Sequence, residues 1–295
     1  MTSISARIYE MYCLIVIMEL RKGCVFMKYL KMNNGLSIPI LGTGTNTFGK
    51  ENNNFNGKIT YDTKELRSAI DLGYRLIDTA IYYRNEAVIG KTVNESNIDR
   101  SEFFITSKIP TDNEYIETDD KVRYHVEQSL KALDLEYIDL YLIHFPLEEN
   151  EENLRVWKVL ESFVDSGHIK SIGVSNFSKD QLSYLIEHAR IKPVLNQFQS
   201  YPGKHQQSLI DYCKANDIIP EAYQSFAKLD DEVKDKLIEI AKPYQKTWSQ
   251  VILNYQVNQD IVVIPKSHNK KHQFENIDIF DFELTKEDEE KIKNM

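Results

Sequence analysis

Short apolar runs alternate along this chain with stretches whose apolar residues recur at helical spacing. From Met27 onward the alternation is regular. Tyr29 to Met32, the Asn33-Asn34-Gly35 turn and Ser37 to Leu41 read as a hairpin leading into a first strand that ends near Gly44. After a polar loop, Lys50 to Lys58, the pattern predicts a helix from Tyr61 to Leu72 and a short strand, Leu76 to Asp78. Asn85 is placed to cap a helix that runs through Ala87, Val88 and Ile89. Phe103 to Lys108 is an apolar strand ended by a lysine, and after a helix with Val126, Leu130 and Leu133 at apolar spacing comes Ile138 to His144, a strand apolar enough to be buried on both faces. The rhythm continues as helix Val156 to Val164, strand Ser171 to Ser175, helix Lys179 to Glu187, strand Val194 to Gln197, helix Gln206 to Ala215 and strand Ile218 to Tyr223. Helices Asp231 to Ala241 and Trp248 to Gln259 precede a strand, Ile261 to Pro265, and a last helix, Lys270 to Asn276.

The strand ends fall at Gly44, Asp78, Lys108, His144, Ser175, Gln197, Tyr223 and Lys266, roughly 22 to 43 residues apart with helix between them. That periodicity predicts an α/β fold, a (β/α)8 TIM barrel with an N-terminal β-hairpin. A doubly wound sheet is the rival, with Gly42-Thr43-Gly44 as a phosphate loop. However, GTGTNTFG lacks the third glycine and no helix follows it at once.

Composition changes this picture little. Of 295 residues 42% are hydrophobic and 27% charged, as in an ordinary globular protein, and a net charge of −9 speaks against nucleic acid or an anionic membrane as partner. Cys13, Cys24 and Cys213 share no metal or redox spacing, so no metal site and a reducing, cytoplasmic setting are expected. Residues 1–26 form a poorly patterned extension before a single barrel domain over 27–295. Within the extension the apolar run Met11 to Met18 is too short to span a bilayer and is flanked by Glu10 and Glu19. We read the extension as an optional leader or a mis-assigned start.

In a barrel the polar residues at the strand ends converge on one mouth. Asp78, Lys108 and His144 end neighbouring strands, and Tyr83 lies in the loop after Asp78. Singly, each has an ordinary explanation as a solvated, paired or core residue. Together they suit carbonyl reduction. Tyrosine is a weak acid, with a reference pKa of about 10. A lysine about 4 Å away, at an effective dielectric of about 20, favours its phenolate by roughly 4 kcal/mol before desolvation. Lys108 is therefore expected to bring Tyr83 toward a useful general-acid range, with Asp78 holding Lys108 and His144 orienting a carbonyl.

The segments GYRLIDTAIYYRNEAVIGK, FFITSKIP, LDLEYIDLYLIHFP, IKSIGVSNF, VLNQFQSYP, EAYQSFA and IPKSHNKKHQFEN occur in this order over nearly all of the chain from Met27. In order and spacing the chain resembles the aldo-keto reductases. The resemblance implies a nicotinamide-dependent barrel reductase acting on small aldehydes or ketones. Tyr83 would be the proton donor, supported by Asp78 and Lys108, with His144 orienting the carbonyl and Tyr82 serving as packing. Gly44, Thr45 and Asn46 would border the cofactor. Ser175, Asn176 and Gln197 would hold the nicotinamide carboxamide, Tyr223 would stack on its ring and Gln224 would lie beside it. Lys266, Ser267, Asn269 and His272 would take the adenosine phosphate, with Glu275 and Asn276 near the adenine.

The chain departs from the family pattern at Asn46, where relatives carry an aromatic residue, at Phe145 for tryptophan and at Gln224 for serine. His272 stands for the arginine that grips the phosphate, which lowers the expected preference for NADPH and leaves NADH possible. A short Glu148 to Asn153 loop, whose acidic run Glu148, Glu149, Glu151 and Glu152 reads as a solvated loop and helix start, and a chain ending at Met295 suggest an open pocket of broad specificity. The expected partner is a small carbonyl compound, and the expected state is a monomer. Two other readings stay open: a nucleotide-binding regulatory protein with little turnover, and a Schiff-base aldolase using Lys108.

Overall fold

The computed structural model describes residues 16–20 and 23–295, with side chains from residue 27 onward. The apolar run Met11 to Met18 and Cys13 therefore lie largely or wholly outside the described residues. Before the barrel, strands β1 (Val16–Leu20) and β2 (Gly23–Met27) pair antiparallel. Strands β3 (Tyr29–Lys31) and β4 (Ser37–Pro39) form the expected hairpin. Its turn closes with Gly35 at φ +87°, a conformation open to glycine at no steric cost.

Eight parallel strands follow: β5 (Gly42–Gly44), β6 (Leu76–Asp78), β7 (Phe104–Ile109), β8 (Ile138–Ile143), β9 (Ile169–Ser175), β10 (Leu195–Gln199), β11 (Ile219–Tyr223) and β12 (Val262–Val263). They are hydrogen-bonded in sequence order, and a parallel bridge from Leu41 to Val263 draws the last strand back to the first. The intervening helices are α1 (Lys64–Asp71), α2 (Glu86–Asn94), α3 (Asn113–Ile116), α4 (Asp119–Leu133), α5 (Asn150–Asp165), α6 (Lys179–His188), α7 (Gln207–Ala215), α8 (Asp231–Ala241) and α9 (Trp248–Asn258), with α10 (Lys270–Ile277) and α11 (Lys286–Lys293) after β12.

Alternation of side chains along each strand builds both the core and the site. Ile77, Ile105, Tyr141, Ile143, Ile172, Val174, Phe198 and Val263 join the helices in the outer core. Leu76, Phe104, Leu140, Leu142, Leu195, Ile219 and Val262 pack with Met32 and Ile38 of the hairpin in a second cluster inside the barrel. Stepping two residues along from this inner layer gives Asp78, Thr106 then Lys108, His144, Gln197 and Glu221. The same parity that seals the barrel floor thus aims the polar side chains into its upper half.

Three expectations need correction. Asn85 precedes α2, but its side chain makes no cap. It accepts from Thr79 Oγ1 (3.0 Å) and donates to the carbonyls of Thr45 (2.7 Å) and Phe48 (3.2 Å), tying the loops after β5 and β6 together. Helix α5 begins at Asn150, so most of the supposed Glu148 to Asn153 loop is its first turn, where Glu151 and Glu152 favour the helix dipole. The last helix is α11, not α10. KEDEEKIK buries only Ile292 and shows no apolar stripe. Its signals are polar ones: Thr285 accepts from Asp288 N, acids fill the first turn and lysines the last.

Candidate active site

Asp78 and Lys108 meet below the mouth of the barrel. Lys108 Nζ donates to Asp78 Oδ2 (2.6 Å) and to the Thr79 carbonyl (2.9 Å), and both side chains are buried. Burial alone would lower the Lys108 ammonium, but Asp78, Tyr83 and Glu221 outweigh it and leave Lys108 above its ordinary pKa. A Schiff-base lysine needs the opposite shift. Lys108 is a fixed cation, which removes the basis for an aldolase.

Tyr83 lies above this pair, with Lys108 Nζ 5.0 Å from its ring centroid. Burial raises the Tyr83 pKa; the charge and hydrogen bond of Lys108 lower it, Asp78 raises it further, and the net direction is upward. The expectation that Lys108 would draw Tyr83 below its ordinary value is thus corrected: desolvation wins, and Tyr83 holds its proton at neutral pH. The ring of His144 stands edge-on to Tyr83, with centroids 5.8 Å apart. Burial, with Lys108 adding to it, lowers the His144 pKa to about 2, so the imidazole is neutral, and its buried Nδ1 has no protein partner. The Tyr82 ring packs against His144, with centroids 5.6 Å apart, and lines the same cleft.

The cleft has a volume of about 650 Å³. Asp78, Tyr83 and His144 line it together with Gly44, Thr45, Asn46, Ser175, Asn176, Gln197, Tyr223, Gln224 and Lys266. Sequence reasoning missed several further lining residues, among them Phe55, Phe226 and Lys228. Thr45 Oγ1 turns to the Asp78 carbonyl (2.8 Å), while Asn46 Oδ1 is buried and unpaired. Asn176 donates to Ser175 Oγ (2.9 Å) and the His144 carbonyl (3.2 Å) and accepts from the Tyr223 hydroxyl (2.9 Å). Asn176 and Gln224 both take left-handed φ, 63° and 57°. That conformation is uncommon outside glycine and is found at functional sites.

A second cavity of about 480 Å³ adjoins the first, sharing Phe226 and Lys266 as lining residues. It brings together Lys266, Ser267, His272, Glu275 and Asn276, with Lys271 beside them. Asn269 is not in its wall; its side chain caps α10 by accepting from Lys271 N (2.8 Å). Lys242, Lys246 and Trp248 also line this cavity and carried no signal in the sequence, because they come from a distant helix pair.

These features run in one line, from an ionised pair under a tyrosine and a neutral imidazole, through amide side chains, to a lysine-lined hollow. A profile of the Aldo/keto reductase family matches residues 40–295. The chain belongs to the aldo/keto reductase family. It is 40% identical over 266 residues to glyoxal reductase of Bacillus subtilis (89% of this chain, 91% of the relative). It is 35% identical to dihydrodiol dehydrogenase 3 of Bos taurus, over 90% of each chain. Among solved structures, the aldo-keto reductase of Bombyx mori in complex with NADP superposes with a TM-score of 0.80 at 33% identity, covering 90% of this chain and 91% of that one. The protein is an oxidoreductase that reduces aldehydes or ketones with a nicotinamide nucleotide.

The residues present fit such a cofactor. Gln197 spends its amide nitrogen on Asp78 and Glu221, at 2.9 and 2.8 Å, so the atom it offers a ligand is the carbonyl oxygen. Ser175 Oγ accepts from Asn176, which leaves the Ser175 hydroxyl proton to donate. One acceptor and one donor at the cleft wall match the two ends of a carboxamide. Glu221 was not singled out from the sequence, although a lone glutamate inside IIPEAY, at the parity of Ile219 and Tyr223, is a signal of an inward-facing acid.

Proposed function

We propose that this reductase acts on small aldehydes and ketones, prefers NADPH, and protonates the substrate oxygen from Tyr83. The observation that carries the reading is the buried Lys108–Asp78 pair directly under a Tyr83 that keeps its proton. The nicotinamide nucleotide, when bound, supplies the hydride. The chain's own groups supply the rest. His144, neutral, orients the carbonyl without competing as a cation. As Tyr83 releases its proton, the phenolate that forms lies beside a permanently charged Lys108, so the charge appears where a cation already waits. Asp78 holds that cation in place and keeps it charged. Ser175 and Gln197 hold the carboxamide, and Asn176 braces Ser175 and Tyr223.

Phe55, Tyr82 and Phe145 give the substrate end apolar walls, which supports small carbonyl compounds over highly polar ones. The name of the Bacillus subtilis relative makes glyoxal a sensible member of any test panel. NADPH preference rests on the lysines of the second cavity: Lys242, Lys266 and Lys271 offset the weaker charge of His272. Nucleotide oxidation with a panel of short aldehydes and glyoxal should be faster with NADPH than with NADH at equal concentration. His272→Arg should tighten NADPH more than NADH. Equal effects on the two would remove His272 from the phosphate site, and no turnover of any panel member would sink the proposed substrate class.

A further inference from the structure

Glu221 sits fully buried at the centre of the barrel, on the strand next to Gln197 and in direct register with it. Gln197 Nε2 lies between two carboxylates, 2.8 Å from Glu221 Oε2 and 2.9 Å from Asp78 Oδ2. Only a nitrogen with two N–H bonds can occupy that place, since a carbonyl oxygen would face two acceptors. A planar amide with both N–H bonds anchored has no remaining freedom to flip. The other Glu221 oxygen, Oε1, is buried without a partner, so this acid is kept at the cost of an unsatisfied polar atom.

We infer that Glu221 is a positioning residue: with Asp78 it locks the Gln197 amide so that its carbonyl oxygen alone faces the cleft and accepts from the amide N–H of the nicotinamide carboxamide. This rests on the reading that Gln197 meets the carboxamide. Without Glu221 the Gln197 amide loses one of its two anchors and can present either end. Burial, and next to it the charge of Asp78, raises the Glu221 pKa to about 8, with Gln197 and Lys108 opposing. The charged and titratable groups around Glu221 are Asp78 from β6 and Lys108 from β7. Its strand neighbours Gln197 and Val262 are uncharged. The lock is therefore strongest above that pH, when Glu221 is ionised, and loosens as Glu221 takes a proton.

The test is equilibrium binding, followed by protein fluorescence, of NADP+ and of its acetylpyridine analogue, whose acetyl group has no N–H to donate. At about pH 9, where Glu221 is ionised and can only accept, Glu221→Gln should weaken NADP+ about tenfold, the worth of one well-made hydrogen bond, and leave the analogue unchanged. Equal weakening of both ligands, or of neither, would overturn the inference. Gln197→Leu separates the two claims. If it discriminates between the ligands and Glu221→Gln does not, only the role of Glu221 falls; if neither variant discriminates, the placement of the carboxamide falls with it. The unaltered protein gives a second readout that needs no variant. Its preference for NADP+ over the analogue should shrink as pH is lowered from about 9 to about 6.5, through the range in which Glu221 titrates; a flat preference would contradict the lock.

Discussion

Burial sets the protonation states of single residues in this site, and it does so against simple charge counting. From the sequence, the nearness of Lys108 to Tyr83 suggested a lowered tyrosine pKa. The structure shows desolvation prevailing, which a sequence does not reveal because it depends on what packs around the ring. His144 is the stronger case. Unfolded, it takes a proton as pH falls below about 6.5, while in the fold burial and Lys108 keep it neutral down to about 2. The unfolded chain therefore binds the extra proton, and stability must drop as pH falls through this window. By about pH 5 the cost is about 2 kcal/mol. Urea unfolding of His144→Gln and of the parent between pH 7 and pH 5 should show the parent losing about 2 kcal/mol more than the variant. Parallel losses would mean that His144 is protonated in the native state.

Among the elements, legibility tracked burial. Strands β7 and β8, buried almost throughout, were placed within a residue, and so were the polar residues that end them, because alternation by two fixes which side chains point inward. Helix α11 escaped because its stability comes from capping and charge order, with a single buried residue. Close approach between elements left no trace either. Gly90 in α2 sits so near α4 that a Cβ there would lie 1.9 Å from the Leu133 carbonyl oxygen, against backbone that cannot swing aside. Gly90→Ala, which would favour an isolated helix, should instead destabilise the protein by about 1–3 kcal/mol, read as a lower urea midpoint. An unchanged or raised midpoint would show that the two helices can separate at no cost.

At the scale of the whole molecule, the barrel gathers groups from strands far apart in sequence into one cleft that continues into a lysine-lined hollow. The residues at the Tyr83 end of this line could be picked out in the sequence, since Asp78, Lys108 and His144 fall at strand ends and Tyr83 lies in the loop after Asp78. The far end was not: Lys242, Lys246 and Trp248 come from the α8–α9 region, and only the folded chain brings them beside His272. The central claim is that the cleft reduces carbonyls with Tyr83 as the acid. It is tested most directly by comparing Tyr83→Phe with the parent in the turnover of a short aldehyde, with NADPH binding measured in parallel by fluorescence. Removing the hydroxyl should lower kcat by about a hundredfold to ten-thousandfold and leave NADPH affinity within about twofold. Full reductase activity in Tyr83→Phe would contradict the account.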